Sequence, residues 1–302
     1  MDSTRLADFV REHPRLFVLT GAGVSTASGI PGYRDADGNW RRRPPVMHQE
    51  FTRCEAARRR YWARSLVGWP AIAKAAPNLA HDALADIEAM GFVTRLVTQN
   101  VDGLHQRAGS GKVIDLHGRL DRVVCMSCSA TLTRSSVQTA MERTNPDFAP
   151  RAASVAPDGD ADLEIEFDAF EPPGCPRCGG MLKPDVVFFG DGVPRTRVDA
   201  SFAGLHEASA VLVVGSSLMA YSGYRFCERA RDEAKPIAAV NRGRTRADEL
   251  FELKVEADCV PVLAALAREL APGERRRALT SQPRVGTILA EGRTNTTQGG
   301  EP

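Results

Sequence analysis

The sequence predicts an α/β protein: an open parallel sheet with a second, smaller segment that binds metal. Three observations carry this. Short apolar runs recur along the chain and stop at glycine or small polar residues, as buried parallel strands do. Several of them are followed at once by Asn, Asp, Gln, His or Ser, where open α/β sheets hold their ligands. Two Cys-x-x-Cys pairs, Cys125/Cys128 and Cys175/Cys178, interrupt the series.

Residues 2–12 read as a short amphipathic helix with Leu6, Phe9 and Val10 inward. Phe17 to Thr20 is the first strand, and Gly21-Ala22-Gly23-Val24-Ser25 follows it. Gly21 and Gly23 let the backbone turn and approach a ligand. Ser25 and the N–H groups of the next helix start then face an anion, which makes the stretch a diphosphate cradle on a strand–turn–helix. It departs from the common dinucleotide fingerprint, since Gly29 comes six residues after Gly23 rather than three. Gly29-Ile30-Pro31, with Tyr33 and Arg34 after it, reads as a loop folded over a ligand, Arg34 being available for phosphate. Asp35 to Pro45 is loop, in which Trp40 either covers a ligand or anchors the loop itself. Glu50 to Val67 reads as one helix, made basic by Arg53, Arg58, Arg59, Arg60 and Arg64, with Tyr61 and Arg64 on one face. The plain reading of such a run is a solvated face.

Pro77-Asn78 starts a helix that runs to about Met90 and is capped by Gly91. Phe92 to Val97 is the next strand, ending in Thr98-Gln99-Asn100-Val101-Asp102-Gly103-Leu104-His105, a site candidate by its position. Val113 to Leu116 is another, ending in His117-Gly118, and His117 is the best general-base candidate. His13, His48, His81 and His206 lack such a setting and receive no role. The sheet is expected to resume at Lys183-Pro184-Asp185 with a strand over Val186 to Phe189. Ala210 to Val214 leads into Gly215-Ser216-Ser217, a second small-residue cradle for phosphate or ribose. Pro236 to Val240 leads into Asn241-Arg242-Gly243, and Leu253 to Val255 into Asp258-Cys259. A final helix spans Pro261 to Leu270, and a disordered tail is expected from residue 272 on.

Each Cys-x-x-Cys pair sits in a turn-forming context, and together they supply four thiolates to a tetrahedral zinc site. Four thiolates leave no open position, so the metal is structural; an iron–sulfur centre or redox dithiols are the alternatives. The 46 intervening residues (129–174) are long for a compact zinc ribbon. They are also acidic, with no Lys or Arg from Ala152 to Pro176. Cys54, Cys227 and Cys259 look unpaired. The composition is ordinarily globular, 43% apolar and 25% charged, with a formal net charge of +1. That balance gives no pull toward nucleic acid or anionic membrane. With no apolar run of membrane-spanning length and no signal-peptide core, a soluble cytoplasmic protein is expected.

Taken together, these motifs resemble the sirtuin family of NAD-dependent protein deacylases. The resemblance rests on Gly21-Ala22-Gly23-x-Ser25 through Tyr33-Arg34, on Thr98-Gln99-Asn100-x-Asp102-x-Leu104-His105 and on His117-Gly118. It continues through the cysteine pairs, Lys183-Pro184-Asp185-Val186-Val187-Phe188-Phe189-Gly190, Gly215-Ser216-Ser217 and Asn241-Arg242, over roughly residues 10–270. Tyr61-Trp62-Ala63-Arg64, Val67-Gly68-Trp69-Pro70, Ala156-Pro157-Asp158-Gly159-Asp160 and Tyr221-Ser222-Gly223-Tyr224 further resemble the class II branch, which includes the mitochondrial sirtuin four of animals.

The resemblance implies a Rossmann-like NAD domain over residues 1–120 and 181–271, with a helical insert at about 41–76 and a zinc-binding module over 121–180. It implies that Gly21, Ala22, Gly23, Ser25 and Arg34 hold the diphosphate side, with Tyr33 and Trp40 on the cofactor loop. Gln99, Asn100, Val101 and Asp102 would line the nicotinamide and ribose pocket, with Asn100 and Asp102 counted beside His117 in catalysis. Gly215, Ser216, Ser217, Asn241, Arg242, Gly243 and Cys259 would hold the adenosine end. In this family the acyl oxygen attacks the ribose carbon bearing nicotinamide, and a base then deprotonates a ribose hydroxyl. The products are free lysine, nicotinamide and O-acyl-ADP-ribose. Acyl-lysine proteins are the implied partners, the peptide adding as a strand along Val186, Val187 and Phe188. Tyr61 and Arg64 match a Tyr-x-x-Arg pair that binds succinyl-type carboxylates in class III relatives, so an acidic acyl group is one expectation and a neutral one the other. ADP-ribose transfer by the same site and a non-enzymatic zinc-ribbon protein remain the competing readings; the acidic insert argues against nucleic-acid binding by the latter.

Overall fold

The structure is a computed structural model, and it describes residues 2–35, 37–41, 45–148, 156–161, 163 and 166–272. The chain opens with α1 (Asp2–Glu12) and β1 (Leu16–Thr20), then a 3-10 turn over Ala22–Ser28. Next come α2 (His48–Arg53), α3 (Glu55–Lys74), α4 (Leu79–Ala89), β2 (Val93–Thr98), α5 (Leu104–Arg107) and β3 (Val113–Asp115). A middle segment holds β4 (Gly118–Cys125), β5 (Thr131–Thr133), α6 (Arg134–Thr144) and β6 (Leu182–Val186). The chain then runs through α7 (Arg195–Glu207), β7 (Ala210–Val214), α8 (Tyr221–Asp232), β8 (Ile237–Val240), β9 (Leu253–Val255) and α9 (Cys259–Leu270).

The main sheet has the order β3-β2-β1-β7-β8-β9 and is parallel throughout. Without the middle segment this is the doubly wound dinucleotide order, and its direction of growth reverses between β1 and β7. The central strands β1, β7 and β8 are buried along their whole length and almost wholly apolar because both faces are covered. Leu16 and Val18 of β1 face α1, α4 and α9, while Phe17 and Leu19 face the core that contains Leu205 of α7 and Phe226 of α8. The helix expected from Asn78 is closed by a capping box: the Asn78 side chain accepts from the Ala80 N–H, and the His81 ring from the Asn78 N–H.

Three sequence expectations need correction. The strand expected over Val186–Phe189 does not rejoin the parallel sheet; β6 ends at Val186 and pairs antiparallel with β4 in a small β5-β4-β6 sheet. That small sheet uses residues on both sides of the expected 121–180 module. The apolar run beyond β6 is instead an extended rim, with the Val187 N–H on the His117 carbonyl and Phe189 exposed. Secondly, the helix expected over 50–67 is two helices, because Cys54 is extended. Thirdly, the second of them continues past Val67 to Lys74 with Pro70 inside it. Proline at this position frees the carbonyl of Leu66 four residues back. The Gln138 amide of α6 takes that carbonyl at 2.9 Å. Beside it, the buried Arg134 donates to the Ser65 carbonyl and hydroxyl at 3.0 and 3.1 Å and to Gln138 at 2.7 Å, and stacks near Trp62 and Trp69. The sequence reading did not foresee α6, α7 or α8. The expected tail, except Pro272, lies outside the described residues. Among the described residues no helix is long and apolar enough to cross a membrane.

Candidate active site

At the reversal point the turns after β1 and β7 pack main chain against main chain. The Gly23 N–H donates to the Gly215 carbonyl at 2.8 Å. Gly215 has φ +59°, and a Cβ there would lie 2.5 Å from the Val24 nitrogen. A cleft of about 920 Å³ opens above these turns. Its lining takes in Gly21, Ala22, Gly23, Tyr33, Arg34, Trp40, Gln99, Asn100, Val101, His117, Val186, Val187, Phe188, Gly215, Ser216, Ser217, Asn241 and Arg242. These residues come from the ends of separate strands and from the loop over them, as a ligand site in an open α/β sheet does.

His117 lies on the cleft between the strand ends and the Val186–Phe189 rim. Its Nδ1 is 3.0 Å from the Gln99 carbonyl and its Nε2 is 2.8 Å from Ser222 Oγ. A carbonyl only accepts, so Nδ1 carries the proton and Nε2 keeps its lone pair toward the cleft. Burial pushes the imidazole pKa down to about 4, against the upward pull of the Gln99 carbonyl, with Arg225 and Arg197 adding to the fall. The ring is therefore neutral at pH 7. Ser222 entered the sequence reading only within a family motif; it lies 105 residues from His117, and α8 brings it there.

Several expected site residues stand behind the cleft rather than on it. Ser25 turns inward: its hydroxyl donates to Asp102 at 2.7 Å and accepts from the Asn100 amide at 3.0 Å. Asp102 also takes the Leu104 N–H at 2.9 Å, and Asn100 donates to the Gly21 carbonyl at 3.1 Å. Ser25 and Asp102 thus support Asn100 from below, the Ser25 hydroxyl being bonded within this network rather than lining the cleft. His81 and His105 pack beneath it, ring centroids 4.8 Å apart and planes tilted by 57°. Burial pushes His81 down to about 4, partly offset by Asp102, and pushes His105 down to about 3, helped by His81. No local signal marks these two as a pair, since the fold alone joins them. Cys259 sits under the first turn, its Sγ 3.4 Å from the Gly23 carbonyl, and burial raises its thiol to about 11. Gly243 lies beyond the lining, its carbonyl held by Lys254 at 2.9 Å.

Trp40 anchors its loop, the Arg34 guanidinium lying 4.1 Å from its centroid while donating to the Gly38 carbonyl at 2.7 Å, and it is also part of the cleft lining.

Tyr61 is buried among the rings of Phe51, Trp62 and Phe188. Arg64 is off the cleft; its Nε donates to the Ala161 carbonyl at 2.7 Å and lies 2.8 Å from Asp160 Oδ1, without the alignment of a hydrogen bond to that oxygen. Tyr61 lines a second, smaller cavity of about 40 Å³, together with Tyr33, Asp158, Asp160 and the same Val186–Phe189 rim.

The four cysteines of the two pairs converge, with all sulfurs within 4.8 Å of one another. The Cys125–Cys178 and Cys128–Cys175 sulfurs are 3.5 and 3.8 Å apart. A tetrahedron with bonds of about 2.3 Å has edges of about 3.8 Å, so the set fits a four-thiolate zinc with no open position.

The Sir2 family profile matches residues 21–222. An NAD-dependent protein deacetylase of Xanthomonas campestris pv. campestris (strain 8004) is 58% identical over 268 residues, covering 88% of this chain and 92% of its own length. NAD-dependent protein deacetylase 2 of Bradyrhizobium diazoefficiens is 58% identical over 262 residues, covering 86% and 96%. Among solved structures, a Sir2 complex with p53 peptide and NAD+ superposes with a TM-score of 0.73 at 28% identity, covering 89% of this chain and 98% of that one. A Sir2 enzyme bound to a propionylated peptide gives 0.69 at 28%, with the same coverage. The chain belongs to the Sir2 family, the sirtuins, a family of NAD-dependent protein deacetylases.

Proposed function

We propose that this protein removes acyl groups from protein lysines with NAD as co-substrate, releasing nicotinamide and O-acyl-ADP-ribose, with His117 as the general base. The observation that carries the reading is the His117 tautomer: the Gln99 carbonyl holds Nδ1–H, so Nε2 meets the cleft unprotonated. NAD, when bound, supplies the ribose carbon that the acyl oxygen attacks. Gly21, Ala22, Gly23 and Arg34 fit its diphosphate side, and Gly215, Ser216, Ser217, Asn241 and Arg242 its adenosine end. Gln99, Asn100 and Val101 line the inner pocket, where Asn100 is oriented by Ser25 and Gly21 and backed through Ser25 by Asp102. Nε2 accepts from Ser222 and exchanges that hydrogen bond for one from a substrate hydroxyl. The peptide lies along Val186 to Phe188, and Phe188 rings the lysine with Phe51 and Tyr61 behind it. The four thiolates hold a structural zinc that keeps β4 and the knuckle before β6 together. The segment Ala156–Asp160 beside the small cavity supports the class II branch as the finer placement.

The test is nicotinamide release from NAD with and without an acetyl-lysine peptide, in wild type and His117→Ala. Release should require the peptide, and the variant should keep its fold while losing about 10²–10⁴ in turnover. Near-normal deacetylation by the variant would remove His117 from the mechanism. Labelling of protein by ADP-ribose without peptide would select transfer instead.

A further inference from the structure

We propose that Asp158 and Asp160 set the acyl selectivity: the end of the acyl channel accepts short neutral acyl groups carrying a hydrogen-bond donor and rejects those ending in a carboxylate. This rests on the deacylase reading. The small cavity shares Tyr33 and the Val186–Phe189 rim with the catalytic cleft, so it extends the channel in which the acyl-lysine would lie. Its volume of about 40 Å³ gives room for about three waters, which corresponds to a few atoms beyond an acetyl group.

Its walls carry two carboxyl groups: Asp158 and Asp160 line it, and among the described residues no Lys or Arg does. The arginine expected to read an acyl carboxylate, Arg64, is turned onto Asp160 and the Ala161 carbonyl instead. Arg60, one turn earlier, is held by Glu50 at 2.6 Å. Asp160 is 7% exposed, and burial together with the Asp158 charge pushes its carboxyl pKa up to about 7 against the pull of Arg64, so the cavity already resists added negative charge. The same field, after burial itself, holds the Tyr33 and Tyr61 phenols well above their usual range and keeps them neutral. An incoming carboxylate meets like charge and burial together, both unfavourable. A hydroxyl on the acyl chain instead meets carboxylate acceptors, the stronger kind of hydrogen bond.

The experiment compares kcat/KM for one peptide sequence carrying butyryl-, 3-hydroxybutyryl- or succinyl-lysine, with the acetyl peptide as reference. In wild type, 3-hydroxybutyryl should exceed butyryl, and succinyl should fall below butyryl by about 10- to 150-fold, the range of one interaction with a charged group. Asp158→Asn with Asp160→Asn should raise the succinyl-to-butyryl ratio by at least about 10-fold and erase the hydroxyl preference. Melting curves check the fold, and Asp158→Asn alone, which keeps the Arg64–Asp160 pair, serves if the double variant unfolds. Wild-type succinyl turnover equal to butyryl, or ratios unmoved in the folded variants, would overturn the proposal. Failure of the acetyl peptide as well would instead sink the deacylase reading beneath it.

Discussion

The two ends of the cleft are built by different means. The end proposed for the nucleotide is main chain: turns at the carboxyl ends of β1 and β7 meet so closely that Gly23 and Gly215 leave no room for a Cβ. The end proposed for the acyl group is side chain: rings of Phe51, Tyr61 and Phe188, an Arg64–Asp160 pair and the Cys-bearing sheet. A site made of backbone fixes one ligand shape and tolerates little change. A site made of side chains on an inserted scaffold can be retuned without disturbing the sheet, provided the scaffold keeps its staples.

Removing the zinc should break this contrast most visibly. A structural four-thiolate zinc is worth roughly 10–16 kcal/mol in folding terms, so chelation under reducing conditions should abolish acyl-peptide turnover and lower the melting temperature. NAD affinity, measured by calorimetry on the same stripped protein, should fall less than peptide affinity. Equal loss of both would mean that the two ends are one unit. Elemental analysis of the intact protein should find about one zinc per chain.

Gly215→Ala probes the other end. Its Cβ would sit 2.5 Å from the Val24 nitrogen at a φ of +59°. A left-handed non-glycine costs about 1–3 kcal/mol before the clash is counted. The melting temperature should drop by several degrees and NAD affinity weaken, with the peptide dissociation constant little changed. A variant that binds NAD normally would show that the turns relax apart.

The most gradual effect expected is on pH. His81, His105 and His117 have folded pKa values of about 4, 3 and 4, below their ordinary 6.5, mainly because they are buried. The unfolded chain therefore binds more protons between about pH 6.5 and pH 3, so stability is full above that window and is lost as pH falls through it. Melting temperature should be flat from pH 7 to 8 and decline steadily toward pH 4.5. A flat profile down to pH 5 would mean these rings are solvated. The acid limb of kcat/KM, read from the free enzyme, should likewise fall below the ordinary histidine range.

What the sequence made legible follows the same division. β1, β2, β7 and β8 were visible because an apolar run stopped by Gly, Asn or Gln is a local signal, and their ends carry the site. The cysteine spacing announced the metal cluster in the same way. Less was visible where a residue's partner is distant. Pro70 is costly inside a helix, and Gln138, reaching the Leu66 carbonyl from α6, makes the longer α3 tolerable. Val186–Phe189 had the composition of a central strand but pairs at β6 with a strand of opposite direction. Arg64 was rightly placed on the face of Tyr61, yet its direction depends on Asp160, a loop residue 96 positions away (160 − 64). Ser25 carried a cradle signature that is satisfied inward by Asn100 and Asp102.

The strand order also governs the timetable of synthesis. β1 lies between β2 and β7, so residues 16–20 lack one neighbour until residues 210–214 have left the ribosome. The cysteine cluster needs nothing beyond Cys178, which emerges earlier. During translation the nascent chain therefore exposes an apolar β1 edge while its metal knuckles are already able to close. Such an edge is where a chaperone would be needed, and slowing translation ahead of β7 should lengthen that exposure, whereas slowing it after β9 should not.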